Sequence, residues 1–312
     1  MRALVILLLA VPEVLALGCR PPVPDRGAYA AESPAPPGPH PRAHIAADAT
    51  VASADGVPIR YHAEGGGEPA LVFIHDWSCD RGEWAEQVTR FSADRQVIAL
   101  DLAGHGESGR ERQEWTIESL GEDVREVVLA LDIGRVVLIG HGMGGEVALA
   151  AAGRMPDRVV AVVGIDAFQD VEHRPDAAQI EIQVGRWEKD FAGTAKLLVD
   201  GQLPKDSEPA LRDRLREQLA AAPPAIALPL LRASLDFDLA AACGRVHVPI
   251  RAIDTTLPSD VAAGHRHAAD FASADLAAMQ LGHFPMLTAS ELFDRKLAET
   301  LAGLGIAAGP AR

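Results

Sequence analysis

Four short stretches of the 312-residue chain set residues capable of chemistry beside turn-forming ones. They are His75-Asp76-Trp77, Asp101-Leu102-Ala103-Gly104-His105-Gly106-Glu107-Ser108, Gly140-His141-Gly142-Met143-Gly144-Gly145, and Gly282-His283-Phe284-Pro285-Met286. The third stretch admits two chemistries. A strand turning sharply into a helix can present a nucleophile, a role that calls for Ser where Gly142 stands. The same unit can cradle a phosphate on bare backbone. Its G-x-G-x-x-G pattern, with Asp166 ending the next apolar run, is nearly a complete dinucleotide fingerprint. Context weighs against the phosphate reading. Two strand–helix units precede the motif, whereas the fingerprint usually opens its fold, and a nucleotide fold leaves the other three stretches unexplained.

The elements that must position these residues are legible as periodic segments. A hairpin is expected around Ile59 to His62 and the stretch before it. The continuous apolar run 70–76 reads as a strand covered on both faces and 96–102 as a second buried strand, with 135–140, 158–166, 248–254 and 275–281 as further strands. Helical spacing is predicted around Glu83 to Phe91, over 116–133 with Thr116, Glu118 and Ser119 as start signals, after the glycine turn, and over 291–304. This alternation implies a parallel sheet with helices on both faces. It stops near Asp166: residues 167–240 carry Glu, Arg, Ala and Leu at helical spacing, broken by Pro204, Pro223 and Pro224.

In this order, separated by these elements, the four stretches resemble the α/β-hydrolase fold superfamily over roughly residues 50–305. The resemblance is to lid-bearing members whose elbow reads Gly-His-Ser-Met-Gly-Gly and whose first motif reads His-Gly. It implies an α/β fold, with a mostly parallel central sheet flanked by helices (45–166 and 241–307) and an inserted helical lid (167–240). It implies His283 as catalytic base, and the backbone N–H groups of Met143 and Trp77 as oxyanion hole. The acid falls to Asp166, with Asp254 in reserve, although either aspartate also fits a turn or cap. His105 and Ser108 are expected to organise their turn, and His141 to pack beside the elbow. No cofactor and no metal are expected.

Two departures from the family pattern bear on function. Gly142 takes the nucleophile's place, so His283 has no hydroxyl to activate. Asp76 replaces the glycine beside the oxyanion hole, where it blocks the site or opposes a developing oxyanion. An elbow holds its nucleophile at positive φ, a strain of about 1–3 kcal/mol for a residue with a Cβ, and glycine escapes that strain. Losing the serine of a serine protease lowers turnover about a million-fold. The expectation is therefore a protein of serine-hydrolase lineage, inactive by the acyl-enzyme route, keeping a site for a small apolar or ester-like molecule under the lid. A competing expectation is an enzyme using His283 and Asp166 as a general base on water or an acidic substrate, without a covalent intermediate. Dinucleotide binding through the glycine motif ranks below both.

Composition narrows the partners. The net charge is −15 and only four residues are Lys, which excludes the clustered positive charge that a nucleic acid requires. The first 19 residues have the outline of a signal peptide ending at Gly18-Cys19, with lipid attachment at Cys19 or ordinary cleavage near Ala28-Tyr29-Ala30 as alternatives. Residues 20–44, rich in Pro and Ala, read as a disordered spacer. Export is the expectation, with membrane contact only through that lipid. Cys79 and Cys243 leave one disulfide open as a pairing, with nothing demanding it.

Overall fold

The computed structural model describes residues 45–169, 171, 174–255, 272–275 and 281–306. The signal segment, the spacer and Cys19 lie outside the described residues. So does most of the strand expected over 275–281.

Strands β1 (Ile45–Ala52) and β2 (Pro58–Gly65) form the expected antiparallel hairpin. β3 (Ala70–Ile74) is followed by a 3-10 turn (Arg81–Trp84) and helix α1 (Ala85–Phe91). β4 (Val97–Leu100), α2 (Ile117–Ala130), β5 (Val136–His141), α3 (Met143–Arg154) and β6 (Val159–Ile165) continue the alternation. Five helices come next: α4 (Ala177–Lys189), α5 (Phe191–Gln202), α6 (Pro209–Ala220), α7 (Pro224–Asp236) and α8 (Leu239–Arg245). β7 (Ile250–Asp254) and β8 (Ala272–Asp275) then resume the sheet, and α9 (Pro285–Thr288) and α10 (Ser290–Gly303) follow. Among the described residues the sheet has eight strands in the order β1-β2-β4-β3-β5-β6-β7-β8, parallel from β4 to β8.

The residues explain the layers. Every residue of β3, β4 and β5 is buried, as strands covered on both faces require. α2 buries Ile117, Leu120, Val124, Val127 and Val128, the stripe that a period of 3.6 presents to a sheet. Its start is fixed by Thr116, whose side chain accepts from Ser119 N while Ser119 returns a bond to the Thr116 backbone. The inserted helices run past the expected boundary at 240. Asp238 accepts from Ala241 N and so starts a further helix, which ends at Arg245. Because β3 to β7 are parallel, their carboxyl ends share one rim, and the four motifs gather there.

Candidate active site

β5 runs into Gly142 at φ 49° and ψ −120°, and α3 begins at the next residue. This is the strand–elbow–helix unit expected from the sequence. Its close packing depends on missing side chains. A Cβ on Gly140 would lie 2.1 Å from the Gly144 carbonyl oxygen, and one on Gly144 would lie 2.4 Å from that of Ile74.

The space above Gly142 is filled by Asp76, which follows β3. A Cβ on Gly142 would meet Asp76 Oδ1 at 2.1 Å and its carboxyl carbon at 2.4 Å. The carboxylate thus occupies the volume that a nucleophile side chain would take. Asp76 Oδ1 accepts from Met143 N at 2.7 Å, the amide assigned to the oxyanion hole. His283 Nε2 donates to Asp76 Oδ2 at 3.1 Å, and His283 Nδ1 donates to Asp166 Oδ2 at 3.2 Å. Asp166, just beyond β6 at φ 46°, is held by Thr255, whose backbone N–H and hydroxyl both donate to its carboxylate. Of the two candidate acids, Asp166 is the one that faces His283, while Asp254 is buried at the end of β7. The His283 backbone is fixed to the inserted helices by a 2.8 Å bond from its N–H to the Gln202 carbonyl.

Charge follows from this geometry. Burial opposes ionisation of Asp76, but the hydrogen bond from His283, the nearby imidazoles and the Met143 amide outweigh it and hold the carboxyl well below the usual carboxylate range. Burial alone would favour neutral His283. The bonds and charges of Asp166 and Asp76 override it and push the imidazole up to about 10. The centre is therefore a carboxylate–imidazolium–carboxylate line at neutral pH.

His141 packs behind it, ring to ring with His283 at 4.4 Å. Its Nε2 donates to the His283 carbonyl at 2.8 Å and its Nδ1 faces Glu83 Oε1 at 3.3 Å. Glu83 also accepts from Asp76 N at 3.3 Å. Asp76, His141 and His283 each offer a ligand atom within 4.8 Å of the others, close enough to consider a metal ion. Their hydrogen bonds, however, already commit these donors to protein partners. The same Asp76 carboxylate sits at the start of α3, where a dinucleotide's pyrophosphate would have to lie, and like charge opposes that reading.

The Trp77 indole donates to the Ala227 carbonyl of α7 at 2.9 Å and meets Trp187 edge-on at 4.8 Å. His105 Nδ1 contacts the Ala103 carbonyl at 3.1 Å, and the Ser108 hydroxyl donates to the Asp101 carbonyl at 2.6 Å while accepting from Arg60 N at 2.8 Å. Both therefore organise the turn after β4. Sequence reasoning missed Glu83, Thr255 and Glu146. Glu146 lies on α3 and accepts from the Ser234 hydroxyl of α7 at 3.0 Å, and burial pushes its carboxyl well up. Its position in the first turn of a helix reads from sequence as an ordinary dipole partner, so no pattern marks it.

A fold with this sheet order, elbow and late histidine is that of the α/β hydrolases, and the chain belongs to that family, whose model matches residues 69–229. Among curated proteins it is similar to the dihydrolipoyllysine-residue acetyltransferase component of the acetoin cleaving system of Pseudomonas putida, 42% identical over 97 residues, or 31% of this chain and 26% of that protein. It also resembles a putative non-heme haloperoxidase of Mycobacterium phage D29, 36% identical over 139 residues, or 44% of this chain and 48% of that protein. The chain thus matches less than half the length of either relative. Similar solved structures include an esterase from Exiguobacterium antarcticum, with TM-score 0.71, 19% identity, and coverage of 81% of this chain and 98% of that one. A bromoperoxidase from Bacillus anthracis gives TM-score 0.70 and 21% identity over 82% of this chain and 100% of the other. These structural likenesses establish the fold alone.

Proposed function

We propose that this chain descends from serine hydrolases, lacks their acyl-enzyme route, and keeps its site for a small apolar molecule held beneath the inserted helices. The observation that carries this reading is the Asp76 carboxylate lodged over Gly142, between the Met143 amide and His283. It replaces the missing side chain and also fills the place of an oxyanion. The aromatic group of Trp77, Trp187 and Phe191, with ring centroids 4.8–6.0 Å apart, supports an apolar occupant, since it joins the oxyanion loop to the inserted helices. The general-base alternative is weaker. A base must accept a proton at the working pH, and His283 already carries one at neutrality.

The test is a serine-directed fluorophosphonate probe. The wild-type protein should remain unlabelled. The double variant Gly142→Ser, Asp76→Gly should be labelled at residue 142, because it restores a hydroxyl beside His283 and clears the amide. Labelling of the wild type at Ser78 or Ser108 would overturn the reading, as would an unlabelled double variant of native stability. Export with a lipid on Cys19 belongs to the same proposal. Membrane fractionation before and after Cys19→Ser checks it, and equal partitioning of the two proteins would refute lipid attachment.

A further inference from the structure

We propose that the contact between Glu146 and Ser234 is a proton-operated latch, which holds helix α7 against the core while Glu146 is protonated and releases it when Glu146 ionises. The latch would regulate access to the site beneath the inserted helices, and it rests on the reading that those helices cover a binding site.

Glu146 stands one turn past Gly142 on α3, and Ser234 stands near the end of α7. The Ser234 hydroxyl donates to Glu146 Oε1 at 3.0 Å. A second bond between α7 and the core, from the Trp77 indole to the Ala227 carbonyl, does not titrate. Glu146 Oε2 is buried and has no hydrogen-bond partner among the described residues. An ionised carboxylate there would leave a charged oxygen without a donor, which costs far more than an unsatisfied neutral acid. The charged groups that act on Glu146 are Asp76 after β3 and Glu118 in the first turn of α2, both acidic. α3 also packs on β5, β6 and α8, but His141 on β5 and Cys243 and Arg245 on α8 make no bond to Glu146. Arg232 of α7 is committed to Glu181. Burial therefore holds the Glu146 carboxyl well above its usual range; the Ser234 bond opposes this, and the charges of Asp76 and Glu118 reinforce it. The sign of the switch follows by linkage. The closed form holds the proton, so closing is favoured in acid and weakens as pH rises through the titration of Glu146.

α7 has both a weak point and room to move. Pro229 lies inside the helix and supplies no N–H to the Ala225 carbonyl, so the segment that carries Ser234 is joined to the first turn by a weakened ladder. Open volume lies beside that segment. One cavity of about 600 Å³ is lined in part by Trp115, Val184, Leu228, Pro229 and Arg232. Another, of about 380 Å³, is lined in part by Thr116, Glu118, Ala233 and Phe237. A shift of α7 into either volume would bring water to Glu146, which is what its ionised form requires. It would also open the centre, where Asp76 and His283 keep only 15% and 12% side-chain exposure.

The experiment is acrylamide quenching of tryptophan fluorescence in the whole protein carrying Trp115→Phe. Trp77 and Trp187, each 8% exposed, then report on the seam between core and inserted helices, while Trp84 is fully buried. Quenching should rise between about pH 5 and about pH 9, the span between an ordinary glutamate and a deeply buried one. Glu146→Gln keeps an acceptor for Ser234 without a charge, and should lose the rise. Ser234→Ala should show the high value already in acid. Flat quenching in the parent protein, or an unchanged rise in Glu146→Gln, would overturn the latch. Should Glu146→Gln fail to fold, a Ser234→Ala protein with the parent's pH profile would overturn it equally. Uptake of the neutral dye Nile red separates this inference from the reading beneath it. Dye bound alike at every pH, with flat quenching, defeats the latch alone. Quenching that rises with pH without dye uptake upholds the latch and defeats the apolar occupant.

Discussion

Gly142 and Asp76 are two departures that make one change. Each is awkward alone: a glycine at the elbow leaves His283 facing an empty volume, and an aspartate beside a serine would collide with it. Together they fit. The structure therefore predicts strong coupling between them. Gly142→Ala should destabilise the protein by more than the roughly 1–3 kcal/mol of positive-φ strain, because its Cβ would fall 2.1 Å from Asp76 Oδ1 and displace the carboxylate from the Met143 amide. In the background of Asp76→Gly the same change should cost only the backbone strain. Chemical denaturation of the four proteins in a double-mutant cycle measures the difference, and strictly additive effects would show that the two side chains do not share the space. At this scale the sequence revealed which residues had been exchanged, since both depart from a patterned motif. It offered blocking of the site by Asp76 as one of two outcomes but did not reveal that the carboxylate fills the volume over Gly142, because that depends on a distance between residues 66 positions apart in the chain, Asp76 and Gly142.

The elements carry their own constraints. α3 reaches its position only because β3, β5 and the first turn of the helix meet backbone to backbone. Gly144→Ala puts a Cβ 2.4 Å from the Ile74 carbonyl oxygen and 2.6 Å from that of His75, neither of which can rotate away. We expect this variant to lose several kcal/mol, on the order of the larger overpacking effects, and to accumulate as insoluble protein. Gly153→Ala, on the same helix with nothing within 4 Å, should be neutral or slightly stabilising. Comparing their melting temperatures tests the claim, and similar values for the two would refute it. Most elements were legible because they alternate simply: apolar runs fully covered for β3 to β5, and a 3.6 period with a reciprocal cap for α2. The end of the insertion was not, because the Asp238 cap sits inside a run of Ala and Leu that looks continuous. Glu83 and Glu146 escaped notice for a related reason, since buried acids on helices have the spacing of solvated ones.

At the scale of the whole molecule, the centre gathers titratable groups from five separate parts of the chain: Asp76 after β3, Glu83 on the 3-10 turn, His141 ending β5, Asp166 after β6 and His283 before α9. Their mutual bonds form only when the sheet, the elbow and the late loop are assembled, so the titration of His283 and Asp76 is linked to global folding. The sign follows from the directions of the shifts. His283 is raised from an ordinary 6.5 to about 10, so the folded state holds its proton more tightly than the unfolded chain. The resulting stabilisation is complete below pH 6.5 and is lost as pH rises toward 10. Asp76 is shifted the other way, and its contribution is present above 3.8 and is lost only in acid. Cys79, which burial raises above its ordinary 9.0, enters only at higher pH. Between pH 6.5 and 9.0 the changing contribution among these three groups is therefore that of His283. Over that interval the His283 contribution should fall by up to about 1.4 kcal/mol per pH unit, the value for one proton held by the folded state alone, so the wild-type slope should exceed that of His283→Gln by about this amount. His283→Gln should flatten the slope, whatever it does to the absolute stability. Asp76→Asn should shorten the interval by removing one of the two carboxylates that hold the proton. Urea unfolding of the three proteins across this range supplies the slopes, and a wild-type slope equal to that of His283→Gln would mean that His283 is neutral in the folded protein and that the carboxylate–imidazolium–carboxylate line does not exist.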